Sequence, residues 1–111
     1  MLEEDIIKEV LSFRDNRDWK KYHNSKDLAI SINLEAAELL ENFQWTDKNT
    51  EVPEKRGYIL EELADVFIYC IMMADVLDVD INEIIKNKLK KNEEKHKIEE
   101  TYNNENKYLS E

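Results

Sequence analysis

Apolar residues recur along this chain at intervals of three and four, which is the signature of helices with one buried side. Ile6, Ile7, Val10, Leu11 and Phe13 predict a first amphipathic helix over residues 3–14. Residues 16–24 break the pattern with polar and aromatic side chains, Trp19, Tyr22 and His23 among them, and read as a connector. Ser25 is placed to cap a second helix, with Asp27 in its first turn, and the stripe Leu28, Ile32, Ala36, Leu39, Phe43 carries that helix to residue 44. Trp45 opens a polar loop, and Pro53 suits the first position of a third helix that extends to residue 77. Asp80 with Glu83 forms a capping box for a fourth helix over residues 81–96, whose buried side is defined by Ile81, Ile84 and Ile85. Residues 102–111 are polar and Asn-rich and are expected to fray, although Tyr102, Tyr108 and Leu109 can dock on a neighbour.

The third helix changes the picture from one chain to several. Between Leu63 and Leu77 only Asp65 and Asp75 carry charge, so this helix is apolar around most of its circumference. Three short partners cannot cover it, and a homodimer or homotetramer with this helix near the interface is expected. One glycine, one proline and 38% charged residues in 111 suit helices and little else. The fold class is therefore all-α, a four-helix bundle-type subunit, with one domain over residues 1–100 and a tail over 101–111.

A net charge of -10 opposes binding to nucleic acid polymers and to anionic membranes. The longest apolar run, residues 66–74, falls well short of the roughly 20 residues that span a bilayer. A lone cysteine, Cys70, forms no internal bridge, and no export segment opens the sequence, so the cytoplasm is the expected compartment.

Against this acidic background, two pairs of carboxylates stand out. Glu35 and Glu38 in the second helix, and Glu62 and Asp65 in the third, are each three residues apart and so share a helix face. If the two helices pack antiparallel, the pairs meet. Several acids converging on a packed interior cannot all ionise without a compensating cation. An all-oxygen set favours a hard ion, Mg²⁺ first and Mn²⁺ second. Diiron bundles use Glu-x-x-His on two of their helices, whereas here His23 follows no Glu by three and Glu93–His96, at the far end of the fourth helix, is a single pair.

The fourth helix supplies the opposite charge. Continuing its buried side beyond Ile85 reaches Lys88, Asn92 and Lys95, with Lys91 on the flank, which suits a polyphosphate held beside a metal. Trp19, Tyr22 and Trp45, in the loops on either side of the acidic helix, offer faces on which a base can stack. The competing reading is a non-catalytic helical adaptor with solvated acids, whose lysines meet a protein partner.

Asn33 to Trp45 (NLEAAELLENFQW) followed by Glu61 to Tyr69 (EELADVFIY) resembles the paired ExxE and ExxD motif of MazG-like nucleotide pyrophosphohydrolases, with the dCTP pyrophosphatase branch nearest. RDWKKYHNSKDLA, residues 17–29, and KNKLKKN, residues 86–92, extend the likeness over nearly the whole chain. The resemblance implies an all-helical enzyme that dimerises or tetramerises and cleaves a nucleoside triphosphate to the monophosphate and pyrophosphate. It implies Mg²⁺ on Glu35, Glu38, Glu62 and Asp65, with Trp19 and Trp45 against the nucleoside and Tyr69 near it. Lys88 and Asn92 contact substrate on the same grounds, Lys88 at phosphate, and His23 matches a motif position. Glu38 is the candidate proton acceptor for water and Lys88 the candidate stabiliser of the leaving group. Substrate alternatives within the family are dUTP and phosphoribosyl-ATP. One departure is His96-Lys97, where relatives carry Tyr-Pro.

Overall fold

The computed structural model describes residues 3–45 and 50–97, and these carry four α-helices: α1 (Glu4–Asn16), α2 (Ser25–Glu41), α3 (Arg56–Val76) and α4 (Ile81–Lys95). The chain divides into two compact units, Leu2–Asp78 with the first three helices and Val79–Glu111 with the fourth. The all-α expectation holds. The expected tail over residues 101–111 lies outside the described residues.

Within the first unit, α3 is central and packs mainly on α2 and to a lesser extent on α1. Its buried side chains are Ile71, Met72 and Ala74, which join Leu28 of α2 and Val52 in a small core. The rest of α3 is less covered than its composition demands, since Leu60, Leu63 and Phe67 are 40–48% exposed in the single chain. These three lie on one stripe, three and four residues apart.

The helix ends differ from expectation in ways that have local causes. Asn24, not Ser25, caps α2: its Oδ1 accepts from the Asp27 N–H at 2.9 Å and its Nδ2 donates to Asp27 Oδ2 at 2.9 Å. A second hydrogen bond from the amide makes Asn24 the better cap, which shifts Ser25 into the helix. The α2 helix stops at Glu41 instead of residue 44, and Phe43 and Gln44 close it with turn hydrogen bonds to Leu40 and Glu41. Pro53 opens a separate 3-10 turn (Pro53–Lys55) instead of α3, which begins at Arg56. Asp80 caps α4 as expected, accepting from the Asn82 N–H at 2.8 Å.

At the end of α1 the chain reverses through Asp18, whose φ of 56° is left-handed. Asp18 N–H donates to the Asp15 carbonyl at 3.0 Å and Trp19 N–H to the Arg14 carbonyl at 3.2 Å, the paired bonds of a Schellman ending. Asp tolerates this conformation where a chain almost without glycine needs it. The connector then makes one 3-10 turn, Lys20–Tyr22, before α2.

In the second unit α4 buries Ile81, whereas Ile84 and Ile85 are 45% and 37% exposed. The predicted buried side of α4 is thus only covered at its first residue.

Candidate active site

Glu35 comes from the middle of α2, and Glu62 and Asp65 from one turn of α3. Packing of α2 on α3 brings one carboxylate oxygen from each to within 4.8 Å of the others, all half-buried. Glu38, one turn beyond Glu35, is exposed, but its carboxyl acts on both Glu35 and Glu62 by charge and by hydrogen bonding when a proton is present. Both acidic pairs therefore meet, with three members inside and one at the rim.

The electrostatics are those of a site missing a counter-charge. Glu35 Oε2 and Glu62 Oε2 are buried without any hydrogen-bond partner. Desolvation first, then hydrogen bonding to Glu38 and the charges of Glu38, Asp65 and Glu62, push the Glu35 carboxyl up to about 7. Glu62 is raised for the same leading reason, followed by Glu38 and the charge of Asp65. A buried oxygen normally finds a donor. Two orphaned acceptors in an all-carboxylate set fit a hard divalent cation, which supplies charge and ligand vacancies together.

The remaining sequence candidates differ in burial. Tyr69 follows Asp65 by one turn on α3 and is half-buried. Trp19 is 42% exposed in the connector, with its ring edge-on to Phe13 at 5.6 Å. His23 is half-buried; its Nδ1 has no partner, and burial followed by the nearby charge of Arg14 lowers its affinity for a proton. Trp45 is 97% exposed and has a φ of 63°, a conformation that costs a bulky residue roughly 1–2 kcal/mol. Among the α4 candidates Lys88 and Lys91 are exposed and Asn92 is half-buried. Lys88 borders a shallow apolar groove with Ile84, Ile85 and Leu89.

Sequence reasoning missed Arg14. It is 2% exposed, the one buried charged residue among those described, and its Nη1 donates to Asp75 Oδ2 at 2.7 Å while Nε donates to Asp15 at 2.9 Å. The signal was available: position 14 continues the stripe of Ile7, Val10 and Leu11, and Asp75 is one of two charges in an apolar stretch of α3.

The MazG-like family profile matches residues 30–110, which take in both acidic motifs. The chain belongs to the MazG-like family. This member is 31% identical over 100 residues to dCTP pyrophosphatase 1 of Mus musculus, a match covering 86% of this chain and 59% of that protein. It is 32% identical over 91 residues to dCTP pyrophosphatase 1 of Homo sapiens, covering 78% and 54%. The chain thus spans less than two thirds of the length of these curated relatives. Among solved structures it is similar to a pyrophosphatase from Archaeoglobus fulgidus DSM 4304, with a TM-score of 0.72 and 40% identity over 85% of this chain and 91% of that one. The family resemblance drawn from the acidic motifs, and its dCTP pyrophosphatase branch, are borne out. No helix among the described residues is long and apolar enough to cross a membrane.

Proposed function

We propose that this MazG-like protein is a divalent-metal-dependent nucleoside triphosphate pyrophosphohydrolase that acts on a pyrimidine deoxynucleotide such as dCTP and cleanses the nucleotide pool in the cytoplasm. The observation that carries the reading is the pair of buried, unpartnered oxygens on Glu35 and Glu62 in the group completed by Asp65. Support comes from relatives named dCTP pyrophosphatase 1 and from the pyrophosphatase of similar structure.

In the reaction, water adds across the α–β phosphoanhydride bond, which breaks to leave a monophosphate and pyrophosphate. Glu35, Glu38, Glu62 and Asp65 would hold Mg²⁺, with Mn²⁺ the second choice. When bound, the ion supplies charge neutralisation at phosphate oxygens and acidifies a coordinated water. Glu38, the exposed acid of the four, is assigned the proton that the attacking water releases. The KNKLKKN motif assigns Lys88, Lys91 and Asn92 to the phosphates, with Lys88 stabilising the leaving pyrophosphate. Trp19, Trp45, Tyr69 and His23 are assigned to the nucleoside, the tryptophans by stacking.

The protein is also proposed to act as a homodimer or homotetramer. The exposed stripe of Leu60, Leu63 and Phe67 on α3, with Ile30 and Leu34 of α2 at 48% and 57%, supports this, since apolar side chains in such number are normally covered. Light scattering on the purified protein reads the mass directly, and a monomer removes this part.

Pyrophosphate release from a panel of dCTP, dUTP, other nucleoside triphosphates and phosphoribosyl-ATP, with Mg²⁺ and with EDTA, tests the activity. Release from dCTP that EDTA abolishes is expected. Faster turnover of dUTP or phosphoribosyl-ATP would change the substrate and keep the chemistry. No release from any compound would leave the helical adaptor.

A further inference from the structure

We propose that Arg14 is a positioning residue for the connector between α1 and α2: anchored on Asp75 of α3, it sets where Trp19 stands. The functional part of this claim rests on the reading of Trp19 as a nucleoside contact.

Arg14 joins three pieces of chain. Its guanidinium is held in one plane by two hydrogen bonds, to Asp75 at 2.7 Å and to Asp15 at 2.9 Å. A planar fork with two fixed acceptors has little freedom left, unlike the single ammonium of a lysine. Asp75 also draws in the connector itself, because Lys20, the first residue of the 3-10 turn, brings its Nζ to 3.7 Å of the same Oδ2. One carboxylate on α3 therefore grips both the end of α1 and the turn that follows Trp19.

The backbone of Arg14 completes the arrangement. Its carbonyl accepts from Arg17 N–H and from Trp19 N–H, each at 3.2 Å, so the peptide that carries the Trp19 side chain hangs on this one residue. The indole is then oriented by its neighbours: edge-on to Phe13 with the planes at 76°, and 5.9 Å from the Arg17 guanidinium, which itself lies 3.7 Å over Phe13. Phe13 precedes Arg14 directly and Arg17 hydrogen-bonds to the Arg14 carbonyl through its N–H, so a displaced Arg14 carries the ring's supports with it. Arg14 also acts on His23 at the far end of the connector, where its positive charge adds to burial in disfavouring a protonated imidazole. A ring held before substrate arrives costs less ordering on binding, which appears in KM more than in turnover.

The full-length protein and its Arg14→Gln, Arg14→Lys and Asp75→Asn variants decide the matter by two readouts: steady-state kinetics with dCTP and hydrogen exchange at the Trp19 amide. Arg14→Gln is expected to raise KM about fivefold or more with kcat within about twofold, since misplacement of a substrate contact weakens binding before chemistry. Arg14→Lys, which keeps the charge and loses the fork, recovers part of the loss. Exchange at Trp19 quickens in Arg14→Gln and Asp75→Asn while amides in the middle of α2 and α3 keep their protection. An unchanged KM with unchanged exchange at Trp19 would overturn the proposal, as would kcat falling in parallel with the folded fraction. Should Arg14→Gln fail to fold, Asp75→Asn carries both readouts, its side chain being 30% exposed. If the wild-type protein hydrolyses no nucleotide, the enzymatic reading fails alone, and exchange at Trp19 still settles whether Arg14 positions the connector.

Discussion

Asp75, near the C-terminal end of α3, meets a cation, whereas Glu62 and Asp65, about three turns earlier on the same helix, meet further carboxylates among the described residues. Both places put charge where water is scarce. At Asp75 the chain supplies its own compensation through Arg14 and, at the rim, Lys20. Around Glu62 no such cation is found among the described residues: two acceptors are orphaned, and desolvation together with the neighbouring acids raises the proton affinity of Glu35 and Glu62. The difference separates a charge compensated within the fold from a group of charges that fits an added ligand such as a metal ion. A structural ion pair is complete when the chain folds, and a ligand site is complete only when something else arrives.

Substitutions that break this contrast lower activity at one place and stability at the other. The largest effect is expected from Glu62→Gln, which removes a proposed ligand: pyrophosphate release should fall by at least about a hundredfold while the circular dichroism of the helices is unchanged. Retained turnover would take Glu62 out of the site. Next, Arg14→Ala leaves Asp75 without its main partner and opens a buried space, and should cost about 2–4 kcal/mol. The thermal midpoint would drop by roughly 10 °C or more. A drop of under about 2 °C would reduce the pair to a surface bridge.

Smaller effects sharpen the comparison by pH. Glu35 holds its proton up to about 7 in the folded protein against 4.5 as its ordinary value, so folding takes up a proton between those limits. The metal-free protein should therefore gain stability as pH falls from 8 toward 5, by a few degrees, and Glu35→Gln should flatten this slope. Excess Mg²⁺ should stabilise the wild type more at pH 8 than at pH 5, because protons compete for the same oxygens. At the other corner the sign reverses. Asp15 is held below its ordinary 3.8, chiefly by the hydrogen bond from Arg14, so its contribution is present above that pH and is lost as pH falls further. Thermal melts from pH 3 to 8 with and without Mg²⁺ read both limbs. A metal-free slope of the opposite sign between pH 5 and 8 would contradict the crowded-acid account. The smallest change, Asn24→Ala, touches neither corner and should cost about 1 kcal/mol as a lost helix cap.

Much of this was legible before any fold was known, for reasons that are local. Helix existence followed from apolar spacing, and the helices lie where residues 3–14, 53–77 and 81–96 placed them, within a few positions. The acids were legible because the three-residue spacing of Glu35 with Glu38, and of Glu62 with Asp65, puts each pair on one face whatever the tertiary structure. Caps were legible in kind and not in position, since Asn24 and Ser25 both suit the role and only the bond from Asp27 selects between them. Pro53 likewise suited a helix start, yet its turn closes on Lys55 before α3 begins.

By itself, then, the sequence determined the all-helical class, the family and the acidic set, because periodicity, composition and short motifs act over a few residues. Only the tertiary structure decided which oxygens are left without donors, that Glu38 is exposed while Glu35 is half-buried, and that Arg14 reaches Asp75 across 61 steps of chain. Those facts depend on how α1, α2 and α3 lie against one another. An ion pair between distant residues carries no spacing rule, and desolvation is a property of what surrounds a group, which a linear pattern does not record.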